Sequence, residues 1–146
     1  MTQKLSKAYS NKEFLNSHEA RPIRVQCELI EPDNRLRNQG VENTIVFFGS
    51  ARSKPLQEAK AELSDYADKY PNQSEMTDEE VRELNKRKRI VKLSKYYEDA
   101  VKLSARLTEW SNQEKSSNNK YYVCSGGGPG MMEAANKGAD QVNGKS

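Results

Sequence analysis

Two short apolar runs, each ended by glycine, constrain this chain more than any other feature: "TIVFFGS" from Thr44 and "YYVCSGGGPG" from Tyr121. An unbroken stretch of β-branched and aromatic residues stopped by glycine fits a strand covered on both faces, as in a parallel sheet. The residues between the two runs follow a helical period instead. Leu56, Ala59, Leu63, Tyr66, Ala67 and Tyr70 recur at three- and four-residue steps after Pro55, and Pro71 stops them. A second helix opens at Thr77 with Glu80, the spacing of a capping box. Its buried stripe runs through Val81, Leu84, Val91, Tyr97, Ala100, Val101, Ser104 and Leu107 to the region of Trp110, with a break expected near Lys88. After the second glycine turn, "MMEAANKGA" resumes a helical pattern. The order strand, two helices, strand, glycine turn, helix predicts an α/β fold: the incomplete, N-terminal portion of a Rossmann-like, doubly wound parallel sheet.

Residues 1–43 form a polar, partly helical leader ahead of the α/β unit at 44–146. Within it Ile23, Val25, Cys27 and Leu29 alternate as in a strand, while Ile23, Cys27 and Ile30 share one helix face. A short helix is the favoured reading, with Pro32 and "DNRLRNQG" forming a connection. The crossover from Thr44 to Ser125 greatly exceeds the ~30 residues of a minimal strand-helix-strand unit. A helical insertion is therefore expected over residues 70–90, around "YPNQSEMTDEEVRELNKRKR".

A chain of 146 residues can bury one core, but with 34% hydrophobic and 31% charged residues that core must be small. The net charge of +3 comes from interspersed signs and argues little for a polyanionic partner. Cys27 and Cys124 make neither a disulfide framework nor a metal cluster, so reduced thiols and a cytoplasmic address are expected. No run approaches the ~20 apolar residues of a membrane span. His18, the only histidine, has no nearby nucleophile or metal partner and is assigned no chemistry. No metal and no cofactor is implied.

In an open parallel sheet, ligands sit beyond the carboxyl ends of the strands, and both glycine turns lie at such ends. Glycines let backbone approach a ligand closely, and the helix that follows presents unpaired N–H groups and a positive dipole end to an anion. The first turn offers Gly49, Ser50 and Arg52. The second offers Gly126, Gly127, Gly128, Gly130, Met131 and Glu133. It matches neither G-x-G-x-x-G, because position 131 is methionine, nor a P-loop, because the Lys-Ser/Thr pair is missing. Each residue also has a plain reading: tight-turn glycines, a solvated Arg52, a turn-shaping Ser50, core packing for one of Met131 and Met132, and a Glu133 that favours the helix dipole. The basic run Arg82 to Lys95 reads as the wet face of an amphipathic helix, so nucleic acid is an unlikely partner.

Together "TIVFFGSAR" and "YYVCSGGGPGMMEAANKGA" resemble the LONELY GUY (LOG) family, closest to its longer bacterial branch. The likeness extends to "EFLNSHEARPIRVQCELIEP" and "KYYEDAVKLSARL", with Tyr70 to Arg89 the least familiar part. Ser125 stands where threonine is common in the family, and Met131 where isoleucine or leucine is common. The resemblance implies a Rossmann-like fold, a homo-oligomer at full length, and hydrolysis of nucleoside 5′-monophosphates such as AMP to free base and ribose 5-phosphate. It places Gly49, Ser50, Arg52, Gly126, Gly127, Gly128, Gly130, Met131 and Glu133 around the nucleotide. It implies no catalytic residue here, because the family's P-G-G-x-G-T-x-x-E signature, with its essential glutamate, does not occur in these residues. The expectation is therefore the N-terminal part of a phosphoribohydrolase, inactive or weak alone. The alternative is a nucleotide-binding or sensing module without catalysis.

Overall fold

Both apolar runs are strands, and they pair with each other. The structure is a computed structural model that describes residues 7–114, 116 and 119–146, with nothing stated for the Gln73 side chain. The chain divides into two compact units, Met1–Glu42 and Asn43–Ser146.

In the first unit, a 3₁₀ turn at Ala8–Ser10 precedes helix α1 (Lys12–Asn16). The Asn11 side chain caps α1 by accepting from the N–H groups of Glu13 and Phe14 at 3.1 and 3.2 Å. Helix α2 (Arg21–Asn38) follows. Its Arg24 guanidinium donates to the carbonyls of Leu15 and Ser17 at 2.7 and 2.6 Å, tying α2 to the end of α1. The expected connection from Pro32 is overturned, because α2 continues through Pro32 to Asn38. Proline removes one ladder bond, and here the freed carbonyl lies on an exposed helix where water can reach it. Ion pairs Glu31–Arg35 and Asp33–Arg37 (3.0 Å) bracket the proline on the same helix. The stop comes at Gly40, where Gly40 N–H bonds the Arg37 carbonyl and Val41 N–H bonds the Leu36 carbonyl, a Schellman ending.

The second unit is mixed α/β and mostly helical. Strand β1 (Asn43–Phe47) and strand β2 (Tyr121–Ser125) form a two-stranded parallel sheet. Its register pairs Asn43 with Tyr121 and Phe47 with Ser125. Between the strands lie α3 (Leu56–Ala67), a 3₁₀ turn at Gln73–Glu75, and α4 (Asp78–Asn112); α5 (Met131–Gln141) follows β2. The capping box is present: Thr77 Oγ1 accepts from Glu80 N–H, and the Glu80 carboxylate accepts from Thr77 N–H at 2.7 Å. The break expected near Lys88 does not occur, and α4 is one helix of 35 residues. Arg87 explains the continuity. Its guanidinium lies 4.8 Å from the Tyr66 ring centre on α3 and 3.2 Å from the Glu83 carboxylate, so it fastens the N-terminal half of α4 to α3.

The core is small. Tyr97 of α4 is the largest fully buried side chain, packed with Ala100, Val101 and Ala134. Val123, Ala135 and Ala139 form a second cluster against Phe47. Helix α5 meets α4 through Ala134, Ala135, Gly138 and Ala139; a Cβ on Gly138 would lie 2.2 Å from the Val101 carbonyl oxygen. Ser104 Oγ donates to the Ala135 carbonyl at 2.5 Å inside this contact. The expected burial of β1 on both faces is overturned: no β1 residue is buried, Val46 is 67% exposed and Phe48, just beyond the strand, 91%. Helices α4 and α5 pack on the sheet, and the alternate residues Thr44 and Val46 stay open because nothing among the described residues covers them.

The turn between α3 and α4 carries a titratable lock. A hydrogen bond to the Glu80 carboxylate, with burial second, pushes the Tyr70 phenol up to about 12. The neutral phenol is the favoured form, so this contact contributes fully below the unfolded value of about 10 and is lost as pH rises towards 12. In an absorbance titration, Glu80→Gln is expected to return one tyrosine to near-normal ionisation. An unchanged titration would remove the contact.

Candidate functional site

The parallel register brings the carboxyl ends of β1 and β2 to the same edge, so the two glycine turns leave the sheet side by side. They touch. Met131 N–H, the first amide of α5, donates to the Ser50 carbonyl at 3.1 Å. Gly130 is the N-cap, with φ 76° and ψ −126°, a conformation essentially confined to glycine. A Cβ on Gly130 would lie 2.2 Å from the Ser50 carbonyl oxygen, and one on Gly49 would lie 2.8 Å from Met131 Cβ. Gly49, Ser50, Gly130 and Met131 therefore form one joint between the turns. For Gly130 the neighbouring backbone already accounts for glycine, and for Gly49 the Met131 side chain does. Met131 also packs against the Tyr97 cluster, the core role left open by the sequence.

The rest of the second turn is freer. Gly127 has φ 67°, and nothing lies within 4 Å of where its Cβ would be. Its N–H donates to Ser125 Oγ at 3.2 Å, and Ser125 Oγ donates to Asn136 Oδ1 at 2.9 Å, so the Ser125 proton is already used within the chain. Gly126 and Gly128 lie over the Met132 thioether, 3.3 Å to Sδ and 2.6 Å to Cε for added Cβ atoms; Met132 is flexible there and could yield. In the first turn, Ser50 Oγ accepts from Arg52 N–H at 3.2 Å, the turn-shaping role. Arg52 is exposed and makes no ion pair among the described residues.

Helix α5 has no side-chain cap. Met131 N–H is used by Ser50 and Ala134 N–H by Gly130, which leaves the amides of Met132 and Glu133 without a partner among the described residues. Two orphan donors at the positive end of a helix suit an oxyanion. Beside them an open cleft of about 700 Å³ is lined by Gly127, Gly128, Glu133, Asn136 and Lys137 among others. Arg52, Ser50 and Gly49 do not line it. The candidate residues thus fall into two groups, the joint and the cleft, with Arg52 standing in solvent.

Asn136 and Lys137 were not singled out from the sequence. Glu133, Asn136, Lys137 and Asp140 recur at three- and four-residue steps, so the helical period of "MMEAANKGAD" carried the signal. Under the site lies Tyr97, whose buried hydroxyl has no hydrogen-bond partner among the described residues. Burial, then the Glu133, Glu98 and Glu58 carboxylates, push its phenol up. Glu98 Oε1 in turn accepts from Leu56 N–H at 3.1 Å and caps α3. Among the described residues no group of acid, histidine and cysteine side chains could hold a metal, and no helix is long and apolar enough to cross a membrane.

The joint predicts unequal costs for two glycines of one turn. Gly127→Ala is expected to lose about 1–2 kcal/mol, the cost of a left-handed backbone. Gly130→Ala adds a backbone clash and should lose clearly more. Urea unfolding of both variants measures this; equal losses would contradict the joint.

No protein-family model, no curated protein and no solved structure matches this chain.

Proposed function

We propose that the Asn43–Ser146 unit binds the phosphate of a nucleoside 5′-monophosphate at the start of α5. On this reading it is the N-terminal part of a Rossmann-like, doubly wound domain of LOG type. The observation that carries the reading is the pair of amides, Met132 and Glu133, that have no partner among the described residues at the carboxyl edge of a parallel sheet. A dianionic phosphate complements two backbone donors and a helix dipole, and Gly127 leaves room for close approach. Arg52, exposed and without an ion-pair partner among the described residues, supplies a fixed positive charge at the same edge.

The reading assigns binding, and not bond cleavage, to these residues. Cleavage of an N-glycosidic bond passes through an oxocarbenium-like state that needs a carboxylate at the anomeric carbon and help for the departing base. Glu133 is the only acid in the glycine turn, and it sits in the first turn of α5, where its charge favours the helix dipole. A phosphoribohydrolase built on this unit would take its catalytic carboxylate from elsewhere. A non-catalytic nucleotide sensor needs no carboxylate at the anomeric carbon, so it asks less of these residues on their own.

Calorimetric titration with AMP, run beside an assay for ribose 5-phosphate, tests the proposal. Binding without product is expected, competed by inorganic phosphate and strengthening as pH rises through the second phosphate ionisation near about 6. Absence of binding at millimolar AMP would sink the ligand assignment. Release of ribose 5-phosphate would restore catalysis to this chain.

A further inference from the structure

Helix α5 ends on a chemically reactive pair. Val142 is its C-cap, and the chain turns away through Asn143 and Gly144. Asn143 N–H donates to the Asp140 carbonyl and Gly144 N–H to the Ala139 carbonyl, each at 2.9 Å, the two bonds of a Schellman ending. Asn143 has φ 54° and is the one left-handed residue other than glycine among those described. Asparagine bears that conformation better than most side chains. Gly144 sits against α4: an added Cβ would lie 2.1 Å from Thr108 Cγ2 and 3.1 Å from the Ala139 carbonyl oxygen. The cap therefore favours asparagine at its first position and glycine at its second.

Those two preferences assemble the dipeptide most prone to lose its side-chain amide. The Gly144 nitrogen, giving its proton to base, can attack Asn143 Cγ and close a succinimide ring; the Cγ–Nδ2 bond breaks and ammonia leaves. Water then opens the ring at either carbonyl. Attack at the side-chain carbonyl gives aspartate at this position, and attack at the backbone carbonyl gives isoaspartate. Glycine leaves the approach to Cγ unhindered, because it carries no side chain. No other asparagine in the chain precedes glycine. Asn143 is exposed, so water and base reach it.

The same cap restrains the reaction. The attacking nitrogen must be free of its proton, and in the folded chain that proton is donated to the Ala139 carbonyl. Thr108, buried on α4, keeps Gly144 seated. Ring closure therefore waits until the last turn of α5 frays, and a terminal turn opens at small cost. Neither product restores the cap: a new carboxylate at a helix C-terminus opposes the dipole, and isoaspartate lengthens the backbone by one carbon. We infer that Asn143 is a self-modifying site, at which deamidation by the Gly144 amide is held back by the α5 cap and released when that cap frays. The product permanently marks chains whose last helical turn has opened. The step consumes only water, and the inference does not depend on nucleotide binding.

Incubation of the 146-residue chain at mildly alkaline pH, folded and in concentrated urea, tests it. The readouts are the mass of the tryptic peptide Gly138–Lys145, which shifts from amide to acid, and enzymatic methylation of isoaspartate. Asn143 should convert ahead of every other asparagine in both states, and about ten- to a hundredfold more slowly in the folded chain. Thr108→Ile crowds the seat of Gly144, and Thr108→Ser removes the methyl group that holds it. Both should narrow the gap between folded and unfolded rates without changing the rate in urea, and circular dichroism checks that each variant folds. Equal rates in folded and unfolded wild-type chains would overturn the restraint. An Asn143 that converts in urea but never in the folded chain would overturn the site, as would faster conversion of another asparagine. Folded Thr108 variants that keep the wild-type gap would remove α4 from the account.

Discussion

Everything at the carboxyl edge of the sheet depends on one close approach, the backbone of Gly130 against Ser50 and Ala51. An added Cβ would fall within 3 Å of three backbone atoms there, and backbone cannot yield as a side chain can. The approach lets Met131 N–H reach the Ser50 carbonyl and fixes where α5 begins relative to β1. It also decides which first-turn donors of α5 are used and which are left. The candidate site is what remains after the joint is satisfied: Met132, Glu133 and the open arc at Gly127.

The joint can form because α5 is held flat on α4 by small side chains. Alanine, serine and glycine at Ala100, Ser104, Ala134, Ala135, Gly138 and Ala139 bring the two helix backbones together. Close contact between small residues gains dispersion without much apolar area, which is how a chain with 34% hydrophobic residues builds an interior. Tyr97 is the exception in size, and its hydroxyl, without a partner among the described residues, lies within the fields of Glu133, Glu98 and Glu58. The carboxylates sit on the first turns of α3 and α5 and beside Tyr97 on α4. Dipole, burial and charge therefore meet at the edge where the turns join.

Much of this was legible in residue order. Both strands followed from unbroken apolar runs ended by glycine, and the start of α4 from Thr77 and Glu80. Failures came where one residue was given too much authority. Pro32 reads as a stop in the sequence, but a solvent-exposed helix tolerates the missing bond, and the real stop is the Gly40 motif eight residues on. The apolar run of β1 reads as doubly buried, yet composition says only that a strand can be covered. Burial needs a partner that the sequence does not name. The glycine turn was the least legible, because packing and ligand approach both demand glycine, and only the neighbouring backbone tells Gly130 from Gly127.

Amide hydrogen exchange resolved at Met131, Met132 and Glu133 tests the account most directly. The free chain should protect Met131, bonded to Ser50, and leave Met132 and Glu133 exchanging fast, with both slowing when AMP is added. Fast exchange at Met131, or protection of Met132 and Glu133 without ligand, would contradict it.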